Sequence, residues 1–104
     1  MLRLALSVTV VATMLSPLVV HAEEVVVYSA RNEHLIKPLF DRYTQETGVA
    51  IRYITDKEGP LLQRLAAEGK RTPADMLITV DAGNLWHAAQ SGVLAEIRSP
   101  VLEA

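Results

Sequence analysis

The chain contains no cysteine. Disulfides, thiolate zinc sites and cysteine nucleophiles are therefore excluded within it. Aromatic residues are scarce, with one Trp, one Phe and three Tyr, so few large rings are available to build a core or line a pocket. Neither charge sign dominates: ten Lys+Arg oppose twelve Asp+Glu, for a formal net charge of −2. That balance gives no nucleic-acid footprint. Catalytic signatures are missing as well. There is no Gly-x-Ser-x-Gly, no P-loop, no Gly-x-Gly-x-x-Gly and no His-Glu-x-x-His, which leaves an enzyme reading little support. Internal repeats, low-complexity runs and linkers are also absent.

What is present begins with an apolar segment from Met1 to Ala22, whose only charge is Arg3. A largely apolar run covers Leu4 to Leu15, Ser16-Pro17 breaks it, and Val20-His21-Ala22 closes it with small residues around a cleavage point. This is the pattern of a cleaved secretory signal peptide over 1–22. The run is short for ~30 Å of hydrocarbon, and no cysteine marks a lipoprotein. Residues 23–104 are then the mature part, with a formal charge of −3 once Arg3 is left out. An exported chain without disulfides depends on its hydrophobic core.

The mature part alternates between two patterns. Val25-Val26-Val27-Tyr28 is β-branched and apolar at consecutive positions, as in a strand covered on both faces. The polar turn Ser29-Ala30-Arg31-Asn32 follows. Leu35, Ile36, Leu39, Phe40 and Tyr43 then recur at helical spacing, interrupted by Pro38 and closed by Gly48. Val49 to Ile54 predicts a second strand, and Thr55 to Pro60 a polar loop with helix-start character. Leu61, Leu62 and Leu65 predict a helix ended by Gly69, with Lys70 and Arg71 at its C-terminus. Asp75 to Val80 predicts a third strand. Asp81 caps a helix with apolar positions Leu85, Trp86 and Ala89, stopped by Ser91-Gly92. Val93, Leu94 and Ile97 are expected to return to the core. Ser99-Pro100 signals one more helix start. Strand, helix, strand, helix, strand, helix at this spacing means an α/β fold with a parallel sheet. Three strands make a thin open sheet, and the expectation is that 23–104 is an incomplete first lobe of a longer protein.

Ligands of open parallel sheets bind beyond the carboxyl ends of the strands. That rule selects Ser29–His34, Thr55–Glu58 and Thr79–Asn84. Each segment holds polar groups beside a helix N-terminus, where free N–H groups favour anions. Ser29, Asp81 and Asn84 also suit plain capping, and Glu33 suits a helix first turn. His34 and His87 are commoner as exposed or packed histidines than as ligands. Tyr28, at the end of strand one, is placed to face a cleft. Tyr43 and Tyr53 are expected in the core or against the sheet, and Trp86 in the core or a pocket wall.

The run Val26-Val27-Tyr28-Ser29-Ala30-Arg31, with Leu39-Phe40 and Glu46-Thr47-Gly48-Val49, resembles the opening of ferric-iron-binding periplasmic proteins. Gly69 to Met76, Thr79-Val80-Asp81, Leu85-Trp86 and Gly92-Val93-Leu94 continue the likeness in order. The resemblance implies a two-lobed, type II periplasmic-binding fold and a binding protein, not an enzyme. It would act as a monomer that carries Fe³⁺ between its lobes to an ABC permease in the inner membrane. Fe³⁺ is a hard cation that suits phenolate, carboxylate and carbonate oxygens. The family's dominant tyrosine ligands belong to its second lobe and hinge-proximal region, which are not in this sequence. Its first-lobe His, with Tyr beside it in some members, matches Asn32 and Glu33 here. A carboxylate after strand three, used by some members, matches Val80, with Asp81 adjacent. Arg31 would neutralise a carbonate or other synergistic anion, and Tyr28 and Ser29 would lie beside it. Those departures keep alternatives open: a binding protein for a phosphonate, thiamine or another small anion, or an exported enzyme or sensor on the same fold. Export with cleavage predicts a periplasmic product that starts at Glu23, read by N-terminal sequencing. Retention of Met1 on the exported chain would refute it.

Overall fold

The structure, a computed structural model, describes residues 23–103, so the expected signal peptide lies outside the described residues. The elements run β1 (Glu24–Ser29), α1 (Glu33–Thr47), β2 (Ala50–Thr55), α2 (Glu58–Glu68), a 3₁₀ turn (Gly69–Arg71), β3 (Met76–Ile78), α3 (Ala82–Gln90) and α4 (Pro100–Glu103). The three strands form one parallel sheet in the order β2-β1-β3. β1 pairs with β2 along its whole length, from Glu24 opposite Ala50 to Ser29 opposite Thr55. β3 meets only the end of β1, from Val27 opposite Met76 to Ser29 opposite Ile78.

Side chains alternate across a strand, so β1 feeds two separate cores. Val27 packs with Ile36 and Phe40 of α1, joined by Val25, Ile51, Tyr53 and Ile78. Tyr28 packs on the other face with Leu61 and Leu65 of α2, joined by Ile54, Leu77 and Val93. The two helices therefore cover opposite faces of the sheet. This explains why β1 reads as a continuous apolar run.

The expected helix boundaries hold at several points for the expected reasons. Asn32 caps α1, its side-chain oxygen accepting from the His34 N–H at 3.0 Å. α1 runs through Pro38 and ends at Gly48, whose φ of 74° is the left-handed conformation that glycine adopts without strain. Asp81 caps α3, accepting from the Asn84 N–H at 2.8 Å. Ser99 accepts from the Val101 N–H, and α4 starts at Pro100.

Elsewhere the structure departs from expectation. α2 begins at Glu58, so Gly59 and Pro60 lie inside its first turn and not in a loop. Proline is tolerated there because the first N–H groups of a helix have no intrahelical acceptor. β3 is three residues long, not six. At its start, the Asp75 carboxylate takes the Val26 N–H at 2.9 Å and a side chain replaces a ladder bond. Beyond its end, the Val80 N–H goes to the Glu58 carboxylate and leaves the sheet. α3 packs through Ala88, which is fully buried, while Leu85 and Trp86 stay exposed. Trp86 is 60% accessible, so it is neither core nor buried wall. Leu94, Ile97 and Tyr43 are likewise exposed, and of the expected C-terminal core residues only Val93 packs inward.

Two outcomes follow. Leu61→Ala removes a fully buried side chain beneath Tyr28 and should cost about 2–5 kcal/mol, read as a lowered urea midpoint. The hydrogen bonds from Asn84 hold the Asp81 carboxyl below the usual carboxylate range. A folded-state pKa below the unfolded one means that the stabilisation is complete above the unfolded value of ~4 and is lost as pH falls through the folded value. Asp81→Ala should lower Tm at neutral pH, and the deficit should shrink as acid protonates the carboxyl in the parent protein.

Candidate functional site

Because all three strands run parallel, their carboxyl ends share one edge of the sheet. Backbone bonds stitch that edge together. The Ala30 N–H donates to the Ile78 carbonyl at 2.9 Å, and the Asp56 N–H to the Ser29 carbonyl at 3.2 Å. A shallow, open depression of about 520 Å³ lies between the loops after β1 and β2, lined by residues 30–34 and 55–57. It gathers the predicted Arg31, Asn32 and Glu33 and adds Asp56 and Lys57. Both helix N-termini that follow these loops open beside it. Positive side chains and carboxylates thus share a solvent-accessible rim.

Glu33 is the best-defined oxygen donor there. It opens α1, and its Oε1 accepts from the Tyr53 hydroxyl at 2.8 Å. The bond to Glu33 pushes the Tyr53 phenol above its usual pKa, with desolvation adding to it. Tyr53 meets the expectation of a sheet-facing ring, packing 5.5 Å from Phe40 between centroids. The bond from its hydroxyl to Glu33 was not anticipated. The signal was available in principle. Ile51 and Tyr53 alternate onto the α1 face of β2, and Glu33 begins the helix above them.

Tyr28 corrects the expectation of a cleft-facing phenol. It is fully buried, and its hydroxyl donates to both oxygens of Glu68, at 2.9 and 3.0 Å. The Thr72 hydroxyl donates to the same carboxylate at 3.1 Å, and the Arg64 guanidinium lies 5.3 Å from the Tyr28 ring centre. The period of two along β1 decides this outcome, because residue 28 points beneath α2. Ser29 is corrected too. It is fully buried, and its hydroxyl accepts from the Arg31 N–H at 3.0 Å, so it shapes the loop instead of meeting solvent.

Asp81 stays on the rim but outside the depression. Besides capping α3, its Oδ2 accepts from the Asn84 side chain at 3.0 Å. Asn84 also donates to Glu58, whose other oxygen holds the Val80 N–H. Glu58 was not singled out from the sequence, and it ties the start of α2 to the loop after β3. His34 and His87 are exposed on their helices. Among the described residues no three His, Cys, Asp or Glu side chains converge on a metal-sized space.

No family model matches the chain. It is 37% identical over 81 residues to iron uptake protein A1 of Synechocystis sp., a match that covers 78% of this chain and 22% of the relative. It is 28% identical over 81 residues to the Fe(3+)-binding periplasmic protein of Serratia marcescens, covering 70% and 24%. A solved Trichodesmium protein in complex with iron and citrate superposes with a TM-score of 0.72 at 38% identity, over 77% of this chain and 25% of that one. These are iron-uptake and iron-binding proteins, not enzymes, and this chain spans about a quarter of the length of those it matches. In sequence and in fold the described residues are therefore homologous to about a quarter of the length of these iron-uptake and Fe(3+)-binding proteins, and they form a partial domain of mixed α/β architecture with a parallel three-stranded sheet.

Proposed function

We propose that this chain forms part of the first lobe of a periplasmic binding protein that captures ferric iron as cargo in a cleft between two lobes. The closed, monomeric protein would deliver the ion to an ABC permease in the inner membrane, after export and removal of residues 1–22. The rim at the carboxyl ends of the strands is the cleft wall in this reading. Asn32 and Glu33 are its first-lobe donors, one a neutral carbonyl and the other a hard carboxylate. Arg31 neutralises a carbonate or similar anion that completes the shell, and the citrate found with iron in the Trichodesmium relative supports an anion at such a site. Asp81 contributes negative charge to the same rim from beyond Glu58. The observation that carries the reading is the exposed Glu33 carboxylate at the junction of two strand-end loops, in a chain homologous to iron-binding proteins.

A second reading has its own support. Arg31 and Lys57 stand with two helix N-termini around the depression, and that arrangement also suits a small phosphorylated anion. Phosphate or a phosphonate raising Tm without iron would favour it.

In this reading most ferric donors lie outside this chain, so its own affinity should be weaker than micromolar. Equilibrium dialysis against ferric nitrilotriacetate should show saturable retention that Glu33→Gln reduces severalfold. Retention indifferent to Glu33→Gln would remove that residue from the shell. Micromolar or tighter binding by this chain alone would refute the partial shell, and a full-length protein showing neither a visible ferric charge-transfer band nor a ferric-dependent rise in Tm would refute the iron reading.

A further inference from the structure

The Tyr53 hydroxyl and Glu33 Oε1 lie 2.8 Å apart. Phenolate and carboxylate oxygens are both hard donors of the kind ferric ion favours. Two oxygens already joined by a hydrogen bond also form the bite of a small chelate. An ion that takes the place of the shared proton reaches both with little side-chain movement. Salicylate binds ferric ion in this way, through a phenol that donates to a neighbouring carboxylate.

We propose that Tyr53 is itself a ferric ligand, paired with Glu33 in a two-oxygen chelate where the head of α1 meets β2. This rests on the iron reading above and adds a ligand from β2, a strand for which neither the sequence nor the resemblance suggested one. The phenol is held in place, not free. Its ring is half-buried in the α1-side core and packs against Phe40 at a 55° tilt. The charged groups facing it are Lys37 and Asp41 of α1, paired with each other at 2.7 Å, together with Glu33. Carboxylates outnumber the ammonium, which suits a trivalent cation. The other tyrosines are placed differently. The Tyr28 hydroxyl is enclosed beneath α2 by Glu68. Tyr43 lies ten residues further along α1 than Glu33, roughly 15 Å at helical rise.

On binding, the Tyr53 O–H bond breaks and its proton passes to solvent. Iron–oxygen bonds form to Tyr53 Oη and Glu33 Oε1, two waters leave the metal, and no electron is transferred. The test uses the full chain and ferric nitrilotriacetate, whose chelator fills four coordination positions and leaves two adjacent ones for a bidentate partner. Titration should develop a phenolate-to-iron charge-transfer band in the visible. Tyr53→Phe keeps the ring in the core and should abolish the band, with the far-ultraviolet circular dichroism unchanged. Tyr43→Phe should keep it. Glu33→Gln, on the surface, should require severalfold more iron for half-maximal colour. Undiminished colour in Tyr53→Phe overturns the proposal. So does iron retained on dialysis by the parent chain without any visible band, an outcome that leaves the iron reading standing. No retained iron at all likewise overturns the chelate, while the iron reading is decided on the full-length protein.

Discussion

The constraint on which the rest of the structure depends is the double duty of β1. It is paired on both edges and buried on both faces at Val27 and Tyr28. One face draws α1 down through Ile36 and Phe40, and the other draws α2 up through Leu61 and Leu65. Parallel pairing on both sides then brings the ends of all three strands to one edge. The backbone bonds from Ala30 and Asp56 then hold that edge together. The central strand assembles it as a by-product of burying itself.

Most of this architecture was legible because it is local. Consecutive β-branched residues, helical spacing of Ile36 and Phe40, glycines at helix ends and oxygen-bearing caps at Asn32 and Asp81 each act within a few residues. The misreadings arise where distant contacts override a local signal. Leu85 and Trp86 form an apolar pair on α3, yet the helix turns Ala88 to the protein because a small residue allows close approach. β3 looks six residues long by composition but is cut short by two carboxylates, Asp75 at one end and Glu58 beyond the other.

The rim was legible by rule and less so by residue. Topology alone directs attention to the strand ends, and Arg31, Asn32 and Glu33 do meet there. Which side chains reach solvent depends on the cover over both faces of β1, which removes the consecutive Tyr28 and Ser29 from the surface. It depends also on partners far apart in sequence, and the Tyr53–Glu33 and Glu58–Asn84 bonds span 20 and 26 residues. Such pairs leave no spacing pattern. The resemblance to iron-binding proteins aligned Asn32 and Glu33 with ligands, but it held nothing about the phenol that Glu33 engages here.

The alternation of β1 has a genetic corollary. Val27 and Tyr28 belong to different cores, so a codon gained or lost between residues 25 and 28 would exchange the two sets of side chains across the sheet. The bulky phenol would be thrust against Phe40, and the Glu68 carboxylate would face a valine. An equal indel in the loop between β2 and α2 would leave both interiors intact. Tolerance of length variation along this chain should therefore be lowest inside its central strand.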